Sequence, residues 1–560
     1  MTGDVSPNEV DRDALRRSWG ISWPWWPQWP WTTRIRILFV IDGRVTVGSS
    51  PDEFGLGPVL ATLRDNTFAY WVRFSVSVVD RDQGFRFTND GFDIDDYDQI
   101  WFFGDWPGLD ANNPSFPDSS IEDPDYSPME ADELALIATW MNNGGGVFAT
   151  GDHSLLGASM CHKIPRVRSM RKWTHAQGVP SFANSDRNET LQGRPAIGPA
   201  GAEGDRYPQR IYPVFQTTAH SPFILGNWPH PILCGQFGVI DRFPDHMHEG
   251  GLVEDDDVVL THKLLPGLSL DEYPTIPIVV APNVAAARPG LDDGSVAIGR
   301  PRPRVIAYGM TTNLETTPTR FAMLGVYDGE PVGVGRVVVD STWHHWFSMN
   351  ILGLSAQAPG FYRNMQTYYR NVALWLATPA QRASMLFWAT WGAVSGTQPG
   401  LLDPALGIYG MGERVLDVIG RTASQCIVSE LVNAMMGDGW SGALAKLQAR
   451  TPRDEMIRLP AELVNQAIVG GIATGMFSLS KRHINARARG RTLEIPPEEV
   501  RDAGIEGVEI GRRELRATLS AAAATFEALA GTLSESHGAL ASGIQVGNTL
   551  KDDSDDEAES

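Results

Sequence analysis

Between Arg34 and about Leu376, short apolar runs alternate with helix-like segments, and this alternation restricts the fold more than any other feature of the chain. Ile35 to Ile41, Phe74 to Val79, Tyr97 to Phe103 and Val147 to Thr150 read as strands, with helices expected over Phe54 to Leu63 and Ala131 to Met141. The strand runs are continuously apolar, as strands covered on both faces are. They predict an α/β domain built on a mainly parallel sheet with helices on both faces. Further strand candidates are Ile276 to Val280, Val305 to Tyr308 and Arg336 to Asp340, and a helix over Tyr362 to Leu376 is expected to close the domain.

Composition shifts divide the 560 residues into four parts. Residues 1–33 form an arm containing Trp19, Trp23, Trp25, Trp26, Trp29 and Trp31, with prolines at 24, 27 and 30 that enforce an extended backbone. Such an arm either docks on a partner subunit, a glycan or a lipid headgroup layer, or folds back on its own domain; the second reading is preferred. The α/β domain covers 34–378 and carries a long irregular insertion over about 155–237, a length typical of binding loops and lids. From 379 to 550 small and apolar residues at near-helical spacing, among them Leu515, Leu519, Phe526, Leu529 and Leu533, predict a mainly helical region, with one β-prone patch near Val508 to Ile510. Residues 551–560 are an acidic tail expected to be disordered.

The formal net charge of −21 speaks against a general nucleic-acid or anionic-membrane binder, because neutralising phosphates needs a cationic face. No transmembrane segment is expected, since the longest apolar run, Ala467 to Leu479, falls short of the ~20 residues a spanning helix needs. Cys161, Cys234 and Cys426 show neither a disulfide framework nor zinc spacing, which suits a cytoplasmic protein. The expected partner is a small-molecule substrate. The N-terminal arm and the helical region are candidate surfaces for homo-oligomerisation.

Three short segments concentrate the chemistry. Gly144-Gly145-Gly146-Val147-Phe148-Ala149-Thr150 leads into Gly151-Asp152-His153-Ser154, a strand end where open α/β sheets place their ligands. His153 occupies the position of a nucleophile, which excludes a Cys or Ser elbow there. The second segment is Asp245-His246-Met247-His248-Glu249, and the third is Asp340-Ser341-Thr342-Trp343-His344-His345-Trp346, directly after the apolar Val337 to Val339. Asp152, His153, Ser154, His344 and His345 are therefore candidate catalytic residues, because imidazole beside carboxylate suits general acid–base work near neutrality. His246, His248 and Glu249 are candidate ligands for a divalent metal such as zinc, iron or manganese; the alternative is that these histidines serve the turn or the core.

A basic run, Cys161 to Trp173, supplies Arg166, Arg168, Arg171 and Lys172 as candidate substrate-binding cations. The competing reading is a solvated basic loop paired with acidic segments such as Glu254 to Asp257. Asn89 to Asp98 lacks the order of an EF-hand loop and reads as an acidic turn before a strand.

The Gly-Gly-Gly run, the short apolar strand and the following Gly-Asp-His-Ser resemble the trehalose-utilisation (ThuA-like) branch of the class I glutamine amidotransferase-like fold, in which histidine stands in place of the amidotransferase cysteine. His230-Pro231 through Gly235 is similar to the family's His-Pro segment, the Asp245 to Glu249 loop to its acidic loop, and the strand ending near His344 to its last strand. The resemblance spans roughly Arg34 to Leu352 and implies a role in carbohydrate metabolism. The function expected from residues and resemblance together is a hydrolase or lyase acting on a polar, sugar-like or anionic small molecule through a His/Asp/Glu site at the strand ends. The alternative is a catalytically idle scaffold or assembly protein using the Trp-rich arm and the helical region.

Overall fold

The computed structural model describes residues 32–65, 68–105, 109–110, 113–117, 128–152, 155–179, 209–216, 228–235, 238–245, 251–279, 296–311, 319–352, 358–396, 404–436, 461–489 and 495–552. The Trp-rich arm before Thr32 and the last eight residues of the acidic tail lie outside them.

An eight-stranded sheet organises the N-terminal two thirds of the chain. Its strands are β1 (Thr33–Ile41), β2 (Val72–Asp80), β3 (Gln99–Phe103), β4 (Gly146–Thr150), β5 (Tyr212–Pro213), β6 (Arg304–Thr311), β7 (Thr319–Tyr327) and β8 (Val337–Asp340), in the spatial order β2-β1-β3-β4-β8-β7-β6-β5. Strands β2, β1, β3, β4 and β8 run parallel. β7, β6 and β5 complete the sheet by antiparallel pairing. The order reverses between β1 and β3, and such a switch point opens a crevice at the carboxyl ends of the strands.

Alternate residues of the parallel strands enter different cores, which explains their unbroken apolar runs. Ile35, Ile37, Phe39, Trp101, Phe103, Phe148 and Val338 face one layer, which includes α1 (Gly57–Arg64), α3 (Pro359–Leu376) and α4 (Pro379–Gly396). Leu38, Val40, Ile100, Phe102, Val147, Ala149, Val337 and Val339 face the other, which includes α2 (Ala131–Asn142) and the short helices Ala158–Cys161 and Val167–Met170. Helix α2 starts from a reciprocal cap in which Glu130 and Glu133 exchange side-chain and backbone bonds.

Several expectations are met, and others are corrected. Residues 89–98 do form a turn before β3, with the Asp93 carboxylate accepting the Asp95 N–H. Ile276–Val279 is a strand, but it pairs with Val296–Gly299 in a separate two-stranded ribbon. Strand β7 gave no sequence signal, because Ala322, Met323 and Gly325 dilute its strand propensity.

The C-terminal region is helical. Its described helices include α5 (Gly407–Ile419), α6 (Gln425–Met436), α7 (Ala461–Ala488) and α8 (Pro497–Asp552). The β-prone patch Val508 to Ile510 lies inside α8, where Val508 is buried at helical spacing with Leu515. α7 and α8 meet backbone to backbone: a Cβ on Gly471 would come 2.3 Å from the Gly507 carbonyl oxygen, and one on Gly475 2.2 Å from that of Ala503. Only glycine permits this approach. Within α7 the stretch Glu462–Ala486 is longer than the expected Ala467 to Leu479 run, and by length and composition it could cross a bilayer; 67% of its most apolar window is buried inside the molecule.

Two tethers join α6 to the α/β region. Cys234 and Cys426 form a disulfide across a sequence separation of 192 residues, where the cysteine spacing gave no sign of a disulfide framework. Glu430, one turn further along α6, pairs with Arg336 at the start of β8 and with Arg382 on α4, both at 3.0 Å. Reducing the disulfide, or replacing Cys426 with Ser, should lower the unfolding free energy by about 2–4 kcal/mol, because so long a loop is then free in the unfolded chain. Urea denaturation with and without reductant checks this, and an unchanged midpoint would contradict it.

Candidate active site

Four adjacent parallel strands each deliver an aspartate at or just beyond the carboxyl end. Asp42 follows β1, Gly104-Asp105 follows β3, Gly151-Asp152 follows β4, and Asp340 closes β8. All four are buried, with 6%, 0%, 1% and 0% exposure. Burying a carboxylate is costly unless donors or cations compensate it, so the partners of each aspartate define what it can do. The chain is crowded here: a Cβ on Gly104 would meet the Gly157 Cα at 2.7 Å, and one on Gly151 the Leu156 carbonyl oxygen at 2.4 Å.

Asp152 faces the loop after β8. The Nε2 atom of His344 lies 3.0 Å from its Oδ2, and both side chains are buried. The imidazole is also held by position, since His344 sits in the single turn His344–Trp346 with the rings of Phe54 and Trp343 each 6.1 Å away. A carboxylate that fixes an imidazole in this way is the arrangement of an oriented general base.

His345, its neighbour, enters a different environment. Its Nδ1 donates to Asp245 Oδ2 at 2.8 Å, and its Nε2 lies 3.0 Å from Asp340 Oδ2, off the line a hydrogen bond prefers, so that second contact is mainly Coulombic. Phe243 stacks on the ring at 4.3 Å, and the Thr342 hydroxyl donates to Asp245 at 2.6 Å. Asp340 also accepts from the Trp346 indole at 3.2 Å and the Tyr368 hydroxyl at 3.4 Å. Burial alone would strip the proton from His345, but Asp340 and Asp245 outweigh it and push the pKa up to about 9.

On the β1 side, Asp105 forms a two-pronged ion pair with Arg44, Nε to Oδ2 at 2.9 Å and Nη2 to Oδ1 at 3.0 Å. The Arg44 guanidinium rests 4.6 Å from the centroid of Phe54, the ring that also walls His344. Asp42 accepts the Asp105 backbone N–H at 2.6 Å and the Ser159 hydroxyl at 3.4 Å. Burial, reinforced by the nearby Asp105 and Asp82, raises its pKa well above the usual carboxylate range. Burial likewise pushes the Cys161 thiol up, with Asp42 adding to the effect, so this cysteine is held protonated.

The basic run folds as a strap. Arg166 is buried with a left-handed backbone, φ 68°; its N–H donates to the Glu272 carboxylate, its Nε to the Glu272 carbonyl at 3.0 Å and its Nη2 to Asn142. Arg168 pairs with Glu272 at 2.8 Å and reaches the Lys263 carbonyl. Arg171 is buried, donating to the carbonyls of Asp152 and Leu156 while stacking over Trp173 at 4.3 Å. Lys172 is exposed, and its backbone N–H donates to the Gly251 carbonyl.

Of the residues expected to form the site, the structure thus brings together Asp152 and His344, with Arg171 bracing the Asp152 backbone. His345 is set apart in its own cage, and Arg166 and Arg168 converge on Glu272 instead. His153, Ser154, His246, His248 and Glu249 lie outside the described residues. Among the described residues no group of three or more His, Cys, Asp or Glu side chains is arranged to hold a metal ion. Sequence reading passed over Asp42, Arg44 and Asp105, although Ile41-Asp42 and Phe103-Gly104-Asp105 repeat the apolar-run-then-aspartate pattern of Thr150-Gly151-Asp152. No protein-family model, curated protein or solved structure matches this chain.

Proposed function

We propose that this protein is a hydrolase or lyase for a polar small molecule, working by acid–base chemistry at the carboxyl ends of β1, β3, β4 and β8. The observation that carries the reading is the buried Asp152–His344 pair, a carboxylate that fixes both the orientation and the tautomer of an imidazole at a strand end. In this reading His344 takes a proton from water or from substrate, and Asp152 stabilises the imidazolium that results. Phe54 and Trp343 exclude solvent from one side of the ring, which strengthens that interaction. His345 serves as a buried post that anchors the turn carrying His344, not as a second base.

The strand order β2-β1-β3-β4-β8 and the Gly-Asp-His-Ser sequence that follows β4 support the finer assignment to the ThuA-like branch of the glutamine amidotransferase-like fold, and with it a sugar-like substrate. The test is a panel of aryl esters and aryl glycosides. His344→Gln should lose at least about 100-fold in kcat/KM on whichever class the wild-type protein cleaves. Full activity in that variant would overturn the assignment of His344.

A further inference from the structure

The two helices of the C-terminal hairpin differ in length, with 28 residues in α7 and 56 in α8. Their close approaches set them in antiparallel register: Gly475 meets Ala503, Gly471 meets Gly507, and Gly511 meets Ala467. Carried to the start of α7, that register sets Ala461 opposite Ala517. Near the same point the Tyr409 hydroxyl on α5 donates to the Thr518 hydroxyl at 2.7 Å. From there α8 continues to Asp552, about 50 Å at the rise of an α-helix, with no residue of α7 opposite it. Among the described residues from Ser520 to Thr532, all but Ala522 are exposed. A helix standing alone in water is marginal, and most helices in proteins are stabilised by packing one face against a partner.

The sequence of this overhang carries a seam. Leu515, Leu519, Ala522, Phe526, Leu529 and Leu533 follow one another at alternating steps of four and three, the heptad period by which one helix packs along another. The sequence positions that flank it, Thr518, Thr525 and Thr532 on one side and Ala523 and Ala530 on the other, are uncharged; only Arg516, at the base, carries a charge. An identical seam therefore meets no repulsion along the overhang, whereas an anionic membrane surface calls for cationic flanks. Charge also orients the pair. Arg513 and Arg516 are exposed at the base of the overhang, and in sequence α8 leads into the acidic run Asp552 to Glu559. Two parallel copies would set acidic run against acidic run. Two antiparallel copies set each acidic run beside Arg513 and Arg516 of the other, and hold apart the bodies of two chains whose net charge is −21 each. We propose that α8 beyond Thr518 pairs with the same segment of a second copy of this chain, as an antiparallel coiled coil that makes the protein a dimer. The proposal is independent of the chemistry at the strand ends.

Sedimentation of the full chain at micromolar concentration tests this, with variants placed on and off the seam. The wild-type protein should sediment as a dimer. Leu529→Glu, which puts a charge into the seam, should raise the dimer dissociation constant by about 100-fold or more, while Ala528→Glu, at an exposed position off the seam, should leave it unchanged. Orientation is read with a short bis-maleimide on single added cysteines, since Cys161 is buried and Cys234 is paired with Cys426. Ser536→Cys, near the middle of the overhang, should link two chains. Ala522→Cys, near its base, should not, because antiparallel copies hold the two positions more than about 30 Å apart. A monomeric wild-type chain, with or without binding to anionic phospholipid vesicles, would overturn the interface, as would a dimer that Leu529→Glu leaves intact. Linkage through Ala522→Cys, or none through Ser536→Cys, would overturn the antiparallel pairing.

Discussion

Replacing Arg336 with Met should lower the unfolding free energy by about 3 kcal/mol, the low end for a buried ionic cluster because its three carboxylates keep part of their exposure to solvent. Arg336 is nearly fully buried and contacts Asp328 at 3.1 Å, Glu330 at 3.2 Å and Glu430 at 3.0 Å, while donating to the Trp375 carbonyl and covering its ring. Burial opposes its charge, but the three carboxylates outweigh that and hold the guanidinium protonated. Without it, Arg382 alone must balance Glu330 and Glu430. Arg336→Lys should recover only part of the loss, because an ammonium cannot bridge several carboxylates with a planar fork. Urea denaturation measures both variants, and a loss below 1 kcal/mol for Met would show that the cluster does little to join the helical region to the sheet.

The second large effect belongs to His345. Substituting Leu removes the cation from between Asp245 and Asp340 and should destabilise by about 3–5 kcal/mol. The pair also sets a pH dependence whose sign follows from the raised pKa. A histidine that titrates near 6.5 when unfolded and at about 9 when folded binds more protons in the folded state between those values. Its contribution, about 3 kcal/mol from a shift of that size, is fully present below pH 6.5 and is lost as pH rises through 9. The wild-type protein should therefore lose stability over that window, and His345→Leu should remove this component. A wild-type profile that rises from pH 6.5 to 9, with the variant parallel to it, would refute the buried imidazolium.

The parallel half of the sheet was legible because strands buried on both faces must be apolar throughout, and Ile35 to Ile41 and Val147 to Thr150 are. The antiparallel half was less so: β7 runs through Gly325 and Ala322, and its place beside β8 is set by tertiary pairing rather than local pattern. At the site, sequence located the strand ends but could not separate His344 from His345. One residue apart, they are turned by a tight helical turn to different aspartates, one from β4 and the others from β8 and the segment after Phe243. The basic run was ambiguous for a similar reason. Glu272, more than a hundred residues further along, takes up Arg168 and the Arg166 N–H, and no spacing rule links such positions. The Cys234–Cys426 bond was hidden by the same long separation.

The proposed division of two neighbouring histidines into a base and a post is tested most directly by a side-by-side comparison of His344→Gln and His345→Leu. Each variant is assayed for thermal unfolding and, in the same preparation, for aryl-substrate cleavage. The predicted result is that His344→Gln, which keeps an amide N–H to offer Asp152, stays folded yet loses at least about 100-fold in activity, while His345→Leu loses stability as its main defect. A folded His344→Gln with undiminished cleavage, or a His345→Leu as stable as the wild-type protein, would contradict it.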